Sequence, residues 1–117
     1  MEQKKYEFTG ETKIHCGITL KQIRALVTII GVVSSGDVGG WIESEKCLEH
    51  SGNAWVSGNA QVSGDARVRG HAQVYGDARV CGHARVCDNA WVYGNAQVYG
   101  DAWVRGHARV CDNAWVY

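Results

Sequence analysis

A chain of 117 residues with 12 basic and 12 acidic side chains allows one domain, and it has no global charge to recruit nucleic acid or a membrane surface. Its 15 glycines without a single proline rule out collagen, and five cysteines without a Cys-x-x-Cys pair argue against a disulfide framework or a zinc cluster. No long apolar stretch comes after Met1-Glu2-Gln3-Lys4-Lys5, so no secretory signal is expected. The most apolar run, Ile23 to Val33, is interrupted by Arg24 and is too short to cross a bilayer. The expectation is a cytoplasmic protein with no membrane partner.

Residues 1–51 carry no repeat. From Lys5 to Ile14 the sequence alternates, with Tyr6, Phe8, Thr12 and Ile14 on one side and mostly charged residues on the other. His15-Cys16-Gly17 reads as a turn. Leu20 to Ile30 then sets Ile23, Ala25, Val27 and Ile29 against Gln22, Arg24, Leu26 and Thr28. The β-branched content favours a β-hairpin. Leu20, Ile23, Val27 and Ile30 also fall near one helical stripe, so a helix from Thr19 is the competing reading. Val32 to Gly40 is a connection rich in glycine and serine. Trp41-Ile42 and Leu48 look like irregular precursors of the hexads that begin at Gly52. Residues 1–51 are therefore expected to form a hairpin cap and an irregular first coil, and Glu43, Glu45 and Glu49 to solvate it.

Residues 52–117 repeat one phrase, G-[N/D/H]-A-x-V-y, eleven times without insertion or deletion. Ala and Val are two apart, so they face one side of a short strand while x and y face the other. Because x and y include Arg, Gln, Ser and Tyr, Ala and Val must face inward. The step from y through Gly to Asn or Asp is the turn, where positive φ is tolerated. One hexad cannot bury its valine; stacked coils bury them all. Residues 52–75 match residues 88–111 at 18 of 24 positions, an offset of 36, which fits two coils of three hexads. The expected fold is all-β, a three-faced parallel β-helix with 18 residues per coil.

These hexads resemble the hexapeptide-repeat superfamily, the left-handed parallel β-helix of trimeric acyltransferases. The resemblance implies the left hand; the spacing does not. The G-[N/D]-A-x-V variant with its Gly39-Gly40-Trp41-Ile42-Glu43 lead-in is closer to small YdcK-like bacterial and prophage-type proteins, some called putative transferases on fold alone.

The outward side chains are expected to form ladders on three faces. The first face carries Trp55, Gln73, Trp91 and Arg109 beside Ser57, Tyr75, Tyr93 and Cys111. The second carries Gln61, Arg79, Gln97 and Trp115 beside Ser63, Cys81, Tyr99 and Tyr117. The third carries Arg67, Arg85 and Trp103 beside Arg69, Cys87 and Arg105. Arg67, Arg69, Arg85 and Arg105 around Trp103 read as a solvent face partly compensated by the neighbouring turn of Asp65, Asp101 and His83, as a contact for nucleic acid or another anion, or as a subunit interface. The aromatic residues Trp55, Tyr75, Trp91, Tyr93, Tyr99, Trp115 and Tyr117 are candidates for self-association as a dimer or trimer, or for binding a protein partner. Val116-Tyr117 falls two-thirds of the way through a coil, so this edge is expected to be covered by stacking or by another chain.

The superfamily's enzymes use a catalytic His, acyl-coenzyme A and long loops that interrupt the hexads. Here His71, His83 and His107 occupy turn slots otherwise held by Asn or Asp. His71 and His107 are two coils apart, roughly 10 Å, too far to share a metal. With no interrupted hexad, no loop is expected to form a pocket. The expectation is a non-enzymatic structural or binding module with no catalytic residue, metal or cofactor. An acyltransferase-like enzyme and an anion or nucleic-acid binder are the alternatives.

Overall fold

The computed structural model describes residues 4–50 and 52–117. Met1–Gln3 and Ser51 lie outside the described residues, and with them both ends of the expected cap and most of the stretch read for a secretory signal. Among the described residues the protein is all-β apart from a short 3-10 turn, Glu45–Cys47. No helix is long and apolar enough to cross a membrane.

Each hexad forms one two-residue strand: β4 (Trp55–Val56), β5 (Gln61–Val62), β6 (Arg67–Val68), β7 (Gln73–Val74), β8 (Arg79–Val80), β9 (Arg85–Val86), β10 (Trp91–Val92), β11 (Gln97–Val98), β12 (Trp103–Val104), β13 (Arg109–Val110) and β14 (Trp115–Val116). Strands three hexads apart pair in parallel: Trp55 faces Gln73, Gln73 faces Trp91, and Trp91 faces Arg109. The offset is 18 residues, as the internal match required. The strands form three rows, β4-β7-β10-β13, β5-β8-β11-β14 and β6-β9-β12, so this is a three-faced β-solenoid. Ala and Val of every hexad from Ala54 to Val104 are buried, between 0 and 8% exposed. Val110 and Val116 pack partly buried against the same column.

The corners explain the glycines. Gly76 has φ +71°, and a Cβ there would lie 3.0 Å from the amide nitrogen of Gly94 in the next coil. Two hexads break the rule by placing Asp in this slot. Asp88 and Asp112 adopt φ 59° and 58°, a conformation Asp tolerates better than most residues. Asp88 also gains from it: its Oδ2 accepts a hydrogen bond from the Gly106 amide one coil on, at 3.1 Å.

The cap is an antiparallel hairpin of β1 (Tyr6–His15) and β2 (Ile18–Ala25). Its turn is Cys16-Gly17, with φ 51° and 78°, the two positive angles that suit the twist of a two-residue hairpin loop. β2 pairs with β3 (Val38–Ile42), and β3 lies parallel to β5, so the hairpin extends the second-face sheet. Trp41 and Ile42 stack beneath Gln61 and Val62, and Leu48 beneath Val68, as the irregular first coil required.

Two expectations about the hairpin are corrected. The second strand ends at Ala25, not Ile30, because the Ala25 amide bonds to Asp37 and residues 26–37 turn back as a loop. Ile14 is 75% exposed. Register shifts at Phe8–Thr12 and Gln22–Arg24 break the alternation, so at the tip Leu20 faces inward instead.

A polar latch fixes the cap. Buried Lys5 donates from Nζ to the Ala54 carbonyl at 2.6 Å. Tyr6 donates to the Leu48 carbonyl at 2.7 Å and stacks on His50 at 4.2 Å. Gly39 is enclosed on three sides: an added Cβ would meet Ile23, Trp55 and the Val56 carbonyl, each at 2.8 Å.

This packing is open to two tests. Gly39→Ala, at a position without positive φ, should lower stability by about 1–3 kcal/mol in urea unfolding, through overpacking alone. Burial lowers the Lys5 pKa from 10.5 to about 8, against the pull of Glu49. Above pH 8 the unfolded chain holds a proton the folded chain has lost, so stability rises with pH. Burial raises the Cys47 thiol above 9.0, so above that pH the folded chain keeps a thiol proton the unfolded chain has lost, and this offsets the Lys5 rise. Wild-type stability should rise above pH 8 and level off above pH 9, while Lys5→Met should lose the rise and fall above pH 9.

Candidate functional site

The strand repeat puts every x and y side chain on an outer face, and the parallel register stacks like positions about 4.8 Å apart. On the first face this brings Tyr75 and Tyr93 into a parallel stack, centroids 5.0 Å apart at 3°. Trp91 meets Tyr75 edge-on at 6.3 Å, and the Arg109 guanidinium lies 4.8 Å from the Trp91 ring. A side-chain hydrogen bond with Cys111 is the main cause that raises the Tyr93 phenol pKa. On the second face Tyr99 stacks on Tyr117 at 5.0 Å and meets Trp115 edge-on at 6.3 Å.

Trp55, expected on the first-face ladder, is 2% exposed. Tyr6 packs edge-on against it at 6.4 Å, so the hairpin roofs the first rung and removes Trp55 from any outer surface. Its Nε1 is buried without a hydrogen-bond partner. The second face is also partly covered: His15, Cys16, Ile18 and Leu20 at the hairpin tip overhang Gln61, Ser63 and Cys81. Burial raises the Cys81 thiol pKa, which disfavours the reactive thiolate.

The expectation that no loop could form a pocket is also corrected. The hexads are uninterrupted, but the cap supplies a loop of its own. Ile29, Ile30 and Val32 wall an open groove of about 500 Å³ against Asn53, His71, Asn89 and His107, with Trp91 and Arg109 at its side. The signal in the sequence was the apolar Ile29-Ile30 pair ahead of Gly31. The groove brings His71 and His107 to one surface but gives neither a nucleophile or acid partner. His83 does have one: its Nδ1 lies 3.3 Å from Asp65 Oδ2, but both side chains are largely exposed. A pair so open to water contributes little. Among the described residues no group of three or more His, Cys, Asp or Glu side chains has metal-binding geometry.

The third face differs in kind. Arg67 lies directly opposite Arg85, and Arg85 opposite Trp103. Trp103 is 54% exposed, with the guanidinium carbons of Arg85 and Arg105 at 5.2 and 5.6 Å from its ring. The compensation expected from Asp65 and Asp101 does not form. Asp65 turns to His83, and among the described residues no carboxylate lies within 4.0 Å of Arg67, Arg69, Arg85 or Arg105.

Residues 72–84, 78–94 and 84–100 match the YdcK Beta solenoid repeat family. The hexads within residues 72–100 are thus similar to YdcK beta solenoid repeats. The matched stretch, residues 72–100, spans the middle of the solenoid and carries Tyr75, Arg85, Trp91 and Tyr93. No curated protein matches the chain. Within that stretch the Ala and Val of each hexad face the core, and the x and y residues differ from face to face.

The like-charged ladder gives a test. Arg67→Glu sets an opposite charge across from Arg85 and should raise stability by about 0.2–1 kcal/mol at low ionic strength. The gain should shrink in high salt, as thermal or urea unfolding will register.

Proposed function

We propose that this YdcK-type solenoid is a non-enzymatic binding scaffold that presents its aromatic faces to a protein partner, most simply a second copy of the chain. The observation that carries this reading is the Tyr75–Tyr93 stack with Trp91 against its edge. Stacked rings are held in place before any partner arrives, so less side-chain entropy is lost on association. Tyr and Trp are also the residues enriched at the centres of interfaces. The flat sheet beneath them offers a surface and not a cleft. Tyr99, Trp115 and Tyr117 extend the same chemistry to the second face, and Trp55 drops out of the set because the hairpin covers it.

The acyltransferase alternative would need a histidine facing an enclosed substrate site. His71 and His107 border an open groove, and His83 pairs with Asp65 in solvent. A cytoplasmic setting agrees with five free thiols, as reducing compartments favour.

Light scattering across a concentration series should show an oligomer that Tyr93→Lys converts to monomer, with a cooperative unfolding transition showing that the variant still folds. A wild-type monomer at the highest soluble concentration would overturn self-association. Calorimetric titration with acetyl-coenzyme A should give no saturable heat; saturable binding would restore the enzyme reading.

A further inference from the structure

We propose that the third face is a binding strip for single-stranded nucleic acid, independent of the aromatic faces. Three features of the strip converge on that ligand. First, Arg67 and Arg85 are exposed and stacked as direct partners, an arrangement that repels itself. Among the described residues neither has a carboxylate within 4.0 Å. Second, among the described residues no acidic neighbour forms an ion pair with these arginines. Asp65 pairs with His83, and Glu43 accepts the Gly64 amide at 2.6 Å. Glu49, whose amide bonds to the Val68 carbonyl, stands beside Arg69 at one end of the strip without forming an ion pair to it. Third, the positive row contains an aromatic ring. Trp103 is 54% exposed and is held by Arg85 and Arg105 in cation–π contact.

Guanidinium groups in a line would track a phosphodiester backbone, and an exposed indole among them offers a stacking surface to a base. An acidic protein would use the arginines but would not need the indole. Duplex DNA keeps its bases stacked inside and would also leave the indole idle. The chain's zero formal net charge makes the effect local: binding must come from this face, not from the protein's overall charge.

The test uses the intact protein and a fluorescent oligothymidylate in low salt, followed by anisotropy and by tryptophan emission. Wild type should bind saturably and quench emission. With four arginines in play, the logarithm of affinity should fall against the logarithm of salt with a slope near about −3. Arg85→Ala should reduce that slope by about 0.7. Trp103→Ala should abolish the quench and weaken binding about 5- to 150-fold. Arg85→Lys should keep most of the salt slope. Matched urea midpoints for these surface variants exclude misfolding as the cause, and Tyr93→Lys should bind as wild type does.

Absence of saturable binding at low salt would overturn the proposal, as would binding that survives both Arg85→Ala and Arg105→Ala. Equal or tighter binding of polyglutamate, or of a duplex without the quench, would assign the strip to an acidic protein or to duplex backbone instead.

Discussion

The spacing between successive coils governs this molecule. Parallel strands joined by backbone hydrogen bonds lie about 4.8 Å apart, and the corners must come as close as the strands do. The turn amide of Asn53 bonds to the Gly70 carbonyl at 2.8 Å, and that of Asp77 to Gly94 at the same distance. At such an approach a side chain at the corner would strike the next coil's backbone; a Cβ on Gly52 would lie 2.6 Å from the Gly70 oxygen. Glycine therefore holds the slot, and Asp88 takes its place by turning the close approach into a hydrogen bond to Gly106. The inner column obeys the same spacing. At one strand separation the valines three hexads apart stack in register, and a polar residue there would be buried without a partner.

Regular stacking also shapes the outside. Whatever residue occupies x or y is set against the occupant of the same slot one coil away. Where the residues are aromatic, as at Tyr75 and Tyr93, the ladder is self-stabilising. Where they are arginine, as at Arg67 and Arg85, it is strained by charge. A solenoid thus turns small sequence choices into whole-face properties. One chain with zero formal net charge can carry an aromatic face and a cationic face at once.

The cap introduces what the repeat lacks. It closes the first rung with Tyr6, Ile23 and Trp55, and it anchors itself through Lys5 and Tyr6 on carbonyls of residues 48 and 54. Its loop makes the groove beside His71 and His107. Irregular features here come from the non-repeating residues 1–51, where neither spacing nor symmetry restrains the path.

The sequence alone determined the solenoid: the six-residue period, the inward Ala and Val, the 18-residue coil and the membership of each ladder were all legible. They were legible because a strand's side chains alternate strictly and a repeat propagates one local geometry without error. The tertiary structure decided what lies over those ladders. That Trp55 is roofed by the hairpin, that Ile14 points to solvent, and that Ile29 and Ile30 wall a groove depend on register shifts and on contacts across tens of residues. That Asp65 pairs with His83 and leaves the arginines uncompensated was equally beyond the sequence, since a rotamer choice at an exposed corner is set by whichever neighbour the fold brings nearest.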